Sequence, residues 1–447
     1  MKTQMLKEEI NTMNLHNLLL ERDKNKNPVR VCLIGAGKFG TMYLSQASRT
    51  PGIIISTIVD LDPSQAKQAC IRSGIADTHI TEDTISAISA ENVDVVIDAT
   101  GSPAAGIANT LACCEHGKDI IMVNVEADAL AGPLLAEKAR QANIIYSLAY
   151  GDQPALICEQ VDWARTCGLD VIAAGKGTKY LEGYHYVTPD EVWQHYGITA
   201  EQADAGGMNP KMFNSFLDGT KSAIEMAAVS NATGLTPSPR GLTFPPVSVQ
   251  DLPKILRPAE EGGKLHHKGQ VEVISSEERD GRPVSGDLRW GVYVVFESPS
   301  DYVTNCFAEY GLPTDQSGRY SALWKPYHLI GLELGVSVAN VALRREPTGQ
   351  ASGFRGDAVA TAKQNLQAGE MLDGEGGFTV YGKLIPAVDS LASGGFPIGL
   401  ANNVKLKNSI EKDHQITWKD VDIDQDNQAV KVRKEMELMF YDKTLGC

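Results

Sequence analysis

The feature that most restricts how this chain can fold is Gly35-Ala36-Gly37-Lys38-Phe39-Gly40. It is set directly after the apolar run Val29 to Ile34 and before a helical stretch, Thr41 to Ser48. Glycines at this spacing are common in turns; what restricts the fold is their position between a strand and a helix. There Gly35 permits a tight turn, Gly37 lets backbone come close to a diphosphate, and Gly40 lets the helix pack against the strand. The N–H groups and dipole at the helix start, from Lys38 and Phe39 onward, then favour an anion. The chain is therefore expected to open with a β-α-β unit that holds a dinucleotide.

The second strand, Ile53 to Val59, ends on Asp60, 25 positions after Gly35. A carboxylate there accepts hydrogen bonds from both adenosine ribose hydroxyls and repels a 2′-phosphate, which favours NAD over NADP. A solvated acid at a strand end is the plainer alternative. The next expected strand, Val93–Ala99, runs into Asp98-Ala99-Thr100-Gly101-Ser102-Pro103. Small residues at the carboxyl edge of a parallel sheet, here Thr100, Gly101 and Ser102, let a nicotinamide ribose lie against the backbone. Asn124, after the next strand, is expected to do the same.

Strands at Val29–Ile34, Ile53–Val59, Val93–Ala99, Ile120–Val123 and Ile144–Ser147 alternate with helix-period stretches such as Pro133 to Ala142. Near-continuous apolar strands separated by helices indicate an α/β fold with a doubly wound parallel sheet covered on both faces. From Gly151 the pattern loosens. Helices are expected at Pro154–Cys167, Met212–Asn231 and Tyr320–Leu334, strands at Gly269–Ser275 and Leu288–Glu297, and loops at Thr236–Pro246 and Asp251–Pro258. This is the pattern of an α+β substrate and dimerisation domain. Short strands and tight turns mark the last hundred residues. The expected division is 1–150 for the N-terminal helix and nucleotide domain, 151–354 for the substrate domain, and 355–447 for a small β-rich domain.

A chain of 447 residues exceeds what one core usually serves. With 41 Lys plus Arg against 56 Asp plus Glu, its formal charge is −15. That excess argues against nucleic acid or an anionic membrane as partner, but not against an anionic small substrate held by a local cation cluster. Cysteines at 32, 70, 113, 114, 158, 167, 306 and 447 form no CxxC pair, which suits a reducing cytoplasm. Cys32 lies inside an apolar run. His266 and His267 are adjacent and cannot share a helix face, and no metal-ligand spacing occurs, so no structural metal is expected. Met1 to Arg30 is too charged for a signal peptide or membrane anchor. It reads as an amphipathic helix that packs on a second subunit, so a homodimer or higher homo-oligomer is expected.

Outside the nucleotide unit the richest segment is Met212 to Asn231. Asn214, Asp218, Lys221 and Glu225 fall at offsets of 0, 4, 7 and 11, one polar stripe on a helix whose other side is apolar. Hydride transfer at a carbonyl needs a group that exchanges a proton with the oxygen, and a lysine beside an acid suits that role. An exposed stripe of intrahelical ion pairs accounts for the same spacing. Gly175-Lys176-Gly177-Thr178-Lys179 follows an apolar strand; its glycines suggest close approach of backbone to a ligand, or simply a tight turn. Arg319, Lys325 and His328 lie in or beside one helix-like segment. Lys325 and His328, three apart, would suit a carboxylate or phosphate, or form a solvated basic face.

The first 230 residues resemble a homoserine dehydrogenase. The resemblance rests on the glycine loop, Ile121 to Ala127, Ala149-Tyr150-Gly151-Asp152-Gln153-Pro154, Gly175 to Thr178 and Leu217 to Lys221. It implies substrate binding and proton transfer by Asp218 and Lys221. Where that family carries a lysine after the strand that corresponds to Ile120–Val123, this chain reads Asn124-Val125-Glu126, which argues against homoserine or aspartate semialdehyde as substrate. Residues from Ala362-Lys363 to Leu372 and from Pro397 to Ala401 resemble a SAF domain, the β-clip module also found in sialic acid synthases and sugar-acid dehydratases. The whole architecture resembles the reductoisomerase-like family. Some of its members convert 1-deoxyxylulose 5-phosphate to methylerythritol phosphate with NADPH, so this resemblance favours NADPH where Asp60 favours NAD.

The expectation is an NAD(P)-dependent oxidoreductase acting on CH–OH of a small polyhydroxylated and anionic substrate, with or without a phosphate, whose anionic end Arg319, Lys325 and His328 would hold. Lys221 would exchange the proton, Asp218 would set its charge state, and Lys176 would polarise the carbonyl. Asn214, Glu126, Asp152, Lys179, Arg319, Lys325 and His328 would contact the substrate. A deoxyxylulose-phosphate reductoisomerase, which would call for a divalent metal, and a non-catalytic NAD(H) sensor are the alternatives.

Overall fold

The computed structural model describes residues 14–445. Residues 1–13 of the expected N-terminal helix, and Cys447, lie outside the described residues; the rest of that helix is α1 (Leu15–Lys24). The chain continues β1 (Val29–Ile34), α2 (Lys38–Ala47), β2 (Ile53–Val59), α3 (Pro63–Ser73), β3 (His79–Thr81), α4 (Thr84–Ser89), β4 (Val95–Asp98), α5 (Pro103–His116), β5 (Asp119–Met122), α6 (Val125–Gln141) and β6 (Tyr146–Leu148). These strands form one parallel sheet in the order β3-β2-β1-β4-β5-β6. The order reverses between β1 and β4, and ligands of such sheets bind in the crevice outside the strand ends at that switch point. Alternate residues of β1 serve opposite faces: Val31 and Leu33 pack towards α2, Cys32 and Ile34 towards α5 and α6. The sheet is thus apolar on both sides. The three-residue edge strand β3 was not expected from the sequence.

The middle of the chain runs α7 (Gln153–Thr166), β7 (Asp170–Thr178), α8 (Val192–Tyr196), α9 (Ala200–Ala205), α10 (Pro210–Leu217), α11 (Thr220–Thr233), α12 (Leu252–Ile255), β8 (Gln270–Ser275), β9 (Val292–Glu297), α13 (Asp301–Glu309), β10 (Tyr320–Lys325) and α14 (Gly335–Ala339). Its four strands form a mixed sheet, β10-β9-β7-β8. Two expectations are corrected here. Met212–Asn231 is not one helix: Asp218 ends α10, and Gly219, at φ 88°, turns the chain before α11 begins. Tyr320–Leu334 is not helical either. Tyr320, Ala322 and Trp324 share one packed face, a period of two, and the segment pairs with β9 as an edge strand.

The C-terminal region holds β11 (Gly356–Ala362), β12 (Met371–Asp373), β13 (Val380–Pro386), α15 (Ala387–Ser393), β14 (Asn402–Leu406), β15 (Val421–Asp422) and α16 (Gln428–Leu445). β11 pairs with β13, and β14 lies between β12 and β15, all antiparallel. The closing helix corrects the expectation of strands and turns to the end; no Gly or Pro interrupts 428–445. This region does not keep its apolar residues to itself. Ala358, Ala360, Val380 and Leu384 join the core of α7, α11 and the mixed sheet, while Ala429, Val432 and Met436 of α16 join the α5–α6 face of the nucleotide unit. Helix α11 sits at the centre, packed on α6, α7, β11 and β13. Small and apolar residues on nearly all sides (Ala223, Ile224, Met226, Ala227, Ala228, Val229) permit that burial.

Candidate active site

At the carboxyl edge of β1 the chain turns through Gly35, at φ 95°, into α2. A Cβ on Gly35 would stand 2.7 Å from the Ala99 carbonyl oxygen, and one on Gly40 2.2 Å from that of Gly35. A Cβ on Gly37 would meet no protein atom within 4 Å. Gly37 thus faces the open crevice in front of the helix, where the N–H groups of the first turn have no intrahelical acceptor. That cradle fits a nucleotide diphosphate. Asp60 stands beside it: one carboxylate oxygen accepts from the Ala36 N–H at 2.7 Å, the other from the Asp62 N–H at 2.9 Å. Each oxygen keeps further lone pairs for a ribose.

The opposite wall is the loop after β4. Buried Asp98 accepts from the Thr100 N–H (3.0 Å), the Thr100 hydroxyl (2.8 Å) and Asn109 (2.6 Å). Burial raises its pKa against those bonds. Asn124 caps α6, accepting from the Ala127 N–H, and its amide donates to the Thr100 hydroxyl (3.1 Å) and the Ser102 carbonyl (2.7 Å). Its side chain is therefore committed to shaping the Thr100–Ser102 wall, which corrects the expectation that Asn124 contacts a ribose itself.

Behind this crevice α11 presents Lys221 and Glu225, one turn apart on one face. Lys221 pairs with Glu126 of α6, the side chains 17% and 11% exposed. Glu225 pairs with Lys176 of β7, 7% and 3% exposed for lysine and glutamate. Burial alone would lower the Lys221 pKa, but Glu126, Glu375, Glu225 and Asp152 outweigh it and hold Lys221 as an ammonium. Asp152 caps α7, accepting from the Gln153 N–H at 2.9 Å. Its burial, then the charge of Glu225, push its carboxyl up to about 7 against the pull of Lys221.

Segment 326–334 closes one side. A Cβ on Gly331 would lie 2.7 Å from the Phe39 carbonyl oxygen, so this segment rests on the start of α2. Lys325 pairs with Glu333 at 2.5 Å. His328 accepts no free role either: its Nδ1 lies 2.8 Å from the Trp290 carbonyl, and burial lowers its pKa, with Lys176 adding to this and Glu225 opposing it. Lys325 and Lys176 share a rung of the mixed sheet, each opposite Val292.

Several expected roles do not survive the tertiary structure. Asp218 does not set the charge of Lys221: across the helix break it pairs with Lys363 at 2.8 Å, both buried, and accepts from the Thr220 N–H. Asn214 is buried and donates to the Val187 and Gly376 carbonyls, so it holds backbone and not substrate. Lys179 donates to the His195 carbonyl and lies 3.3 Å from Glu277. Arg319 pairs with Glu297 at the far end of β10, about 20 Å of strand from Lys325. The glycines around Lys176 answer to packing: a Cβ on Gly175 would meet the Glu272 carbonyl at 1.7 Å, and one on Gly177 the Leu288 carbonyl at 1.9 Å.

Sequence reasoning missed Lys363, Glu375 and Glu333 and left Glu225 as a member of a stripe. The signal for Glu375 was present, an acid enclosed by glycines in Gly374-Glu375-Gly376-Gly377. Among the described residues, no three His, Cys, Asp or Glu side chains gather as a metal site, and no helix is long and apolar enough to cross a membrane.

Residues 19–148 match the family model of the homoserine dehydrogenase NAD binding domain, and residues 151–334 that of the oxidoreductase DRL catalytic domain. A 1-deoxy-D-xylulose 5-phosphate reductoisomerase from Heliobacterium modesticaldum is 34% identical over 106 residues, covering 23% of this chain and 27% of that relative. An oxidoreductase from Agrobacterium radiobacter, solved with NAD+, L-tartaric acid and magnesium, is 18% identical over 34% of this chain and 44% of its own, at a TM-score of 0.28. A myo-inositol dehydrogenase from Lactobacillus casei, solved with NAD(H) and myo-inositol, is 15% identical over 37% of this chain and 50% of its own, at 0.29. Neither likeness bears on the substrate. The two family models end at residue 334, and the expected SAF domain is not shown; the C-terminal region is an antiparallel β-rich unit closed by a helix.

Proposed function

We propose that this NAD-binding oxidoreductase of the dehydrogenase type interconverts a carbonyl and an alcohol on a small, polyhydroxylated and uncharged substrate, with NAD(H) preferred over NADP(H). The observation that carries the reading is the Lys221–Glu126 pair, an ammonium held by carboxylates beside the nucleotide crevice and still partly open. Bound nicotinamide supplies or accepts the hydride. Lys221 donates a proton to the developing alkoxide in reduction and, as the neutral amine, takes the hydroxyl proton in oxidation. The buried Lys176–Glu225 pair, one turn along α11, fixes the helix face from which Lys221 projects and orients the substrate oxygen through its field.

An uncharged substrate follows from the pairing of cations. Lys176, Lys221, Lys325 and Lys363 each face a carboxylate, as does the distant Arg319. An anionic substrate would have to displace one of these partners. Asp60 supports NAD, since a 2′-phosphate beside it would be repelled. We place unit boundaries near residues 150 and 354. A homodimer is supported by exposed Leu323, Tyr327, Leu329 and Leu332 on and beside edge strand β10. Seven described cysteines, all free, support a reducing cytoplasm.

The test is NADH and NADPH oxidation, and NAD reduction, against a panel of polyols, sugar acids and sugar phosphates. Turnover with a neutral polyol or its keto form supports the reading; turnover confined to phosphorylated compounds overturns the uncharged substrate. The second reading, a deoxyxylulose-phosphate reductoisomerase, is favoured by the 34% match. No NADPH oxidation with deoxyxylulose phosphate removes that reading.

A further inference from the structure

Helix α11 carries Lys221 in its second position, yet its N-cap residue cannot cap it. That residue is Gly219, at φ 88°, with no side chain to bond the first-turn N–H groups. The turn before the helix supplies the cap, and is itself held by the C-terminal unit. Asp218 accepts from the Thr220 N–H at 2.9 Å, and its other carboxylate oxygen meets Lys363 Nζ at 2.8 Å. The Asp218 carbonyl accepts from His185 Nδ1 at 2.7 Å, and that ring stacks on Tyr381 with centroids 4.6 Å apart. The Thr220 hydroxyl accepts from the Gly382 N–H at 2.8 Å. Lys363, Tyr381 and Gly382 all lie on or next to β11 and β13.

Lys363 is the centre of that hold. Its ammonium has three N–H groups and three acceptors on three segments. These are Asp218 at the helix break, the Val187 carbonyl after the short turn Glu182–Tyr186 (2.9 Å), and the Gly377 carbonyl before β13 (2.7 Å). Lysine and aspartate are both buried, so each charge depends on the other. Lys221 follows Thr220 directly, and its side chain crosses to Glu126 of α6. We propose that Lys363 is a positioning residue for the reaction: it fixes the break, the break fixes the first turn of α11, and that turn aims Lys221 at the crevice. The C-terminal unit thereby sets the geometry of proton transfer without touching the substrate. The proposal rests on the oxidoreductase reading for the reaction, but not for the hold on α11. Proton transfer demands close alignment, and a displacement of about 1 Å can cost about a hundredfold in rate.

Lys363→Met alone strands the buried Asp218 carboxylate, so it is paired with Asp218→Asn, whose amide oxygen still accepts from the Thr220 N–H. Hydrogen exchange of the full-length protein, read by mass spectrometry, tests the hold. The Ala223 N–H bonds back to the Gly219 carbonyl and closes the first turn. Amides 223–225 should exchange about tenfold or more faster in the double variant, with those of the glycine loop and α2 unchanged. Lys405→Met, an exposed change in β14, should leave both as in the wild type. Unchanged exchange at 223–225, or an equal rise across the nucleotide unit, overturns the proposal. In steady state the double variant should lose about tenfold or more in kcat, with KM and NADH affinity unchanged. In a Lys221→Ala background the same pair of changes should cost nothing further, because it acts only through Lys221. A wild-type kcat, or the same loss in both backgrounds, overturns the proposal. Absence of any turnover in the wild type counts against the oxidoreductase reading alone, because the exchange measurement needs no substrate.

Discussion

Lys221 on α11 and Glu126 on α6, 95 residues apart, form an ion pair that stays partly open to solvent. Glu126 is the carboxylate in contact with Lys221 and helps hold it as an ammonium. Lys221→Ala should lower turnover by about 10²–10⁴, the usual worth of a positioned acid or base, with NADH affinity unchanged. Glu126→Gln should lower it too, and the double variant should be little worse than Lys221→Ala alone. Steady-state rates beside NADH fluorescence titrations check this; a near-wild-type rate for Lys221→Ala would remove the proton-transfer role.

Gly37 and Gly40 should respond oppositely to one added methyl. At Gly37, with φ −65° and open space where Cβ would lie, alanine leaves folding intact but stands in the path of the diphosphate. Gly37→Ala should keep the wild-type melting temperature and weaken NADH binding by about tenfold or more. Gly40→Ala places a carbon 2.2 Å from the Gly35 carbonyl oxygen and should cost folded protein. Equal loss of stability in both would show that Gly37 does not border the crevice.

Asp60 both braces the loop through the Ala36 N–H and faces the ribose end of the crevice. Asp60→Ser should reduce NAD affinity and raise NADP affinity relative to it, by about tenfold or more in the ratio, since the charge that repels a 2′-phosphate is gone. Isothermal titration with both nucleotides measures that ratio, and an unchanged value would mean Asp60 serves only the loop.

Asp128 is buried in α6 over Gly132, where a Cβ would lie 2.3 Å from its Oδ1. Tyr146 donates to that oxygen at 2.9 Å, and burial pushes the carboxyl up to about 7. Its folded value lies above the unfolded value of about 3.9. The contribution to stability is therefore full below about pH 4 and falls as pH rises through about 7. Over that window the slope is on the order of 1.4 kcal/mol per pH unit at its steepest. Asp128→Asn should flatten the fall of the denaturation midpoint between about pH 4 and 7; an unaltered pH dependence would show that Asp128 is ionised when folded.

Arg433 of α16 is fully buried. It bonds Asp357 of β11 at 2.6 and 3.0 Å, the Leu130 carbonyl at 3.1 Å and Glu437 at 2.7 Å. It ties the C-terminal helix to the nucleotide unit and to β11 together. Arg433→Ala leaves Asp357 buried without its cation and should cost about 3–5 kcal/mol. Arg433→Met with Asp357→Leu should recover most of that loss in guanidinium unfolding; if the double variant is no better, packing and not the stranded charge sets the cost.

The nucleotide half was legible in the sequence because its signals are local. A strand that must be apolar on both faces, a turn that only glycine can make, and an acid one strand later all report on neighbours a few residues away. Lys221, Glu126, Lys176 and Asp152 were also recognisable as polar residues in otherwise apolar or glycine-rich surroundings. Their partners were not. One residue in the left-handed conformation, Gly219, broke the helix that would have joined Asp218 to Lys221, and so Asp218 turned to Lys363, 145 residues further on. A period of two in place of 3.6 made a strand of Tyr320–Lys325 and parted Arg319 from Lys325. What the sequence by itself determined is where the nucleotide unit begins and which residue types line its crevice, since backbone sterics and periodicity are properties of short segments. Which charge faces which was decided only by long-range packing around α11, because ion pairing depends on distance in space and not along the chain.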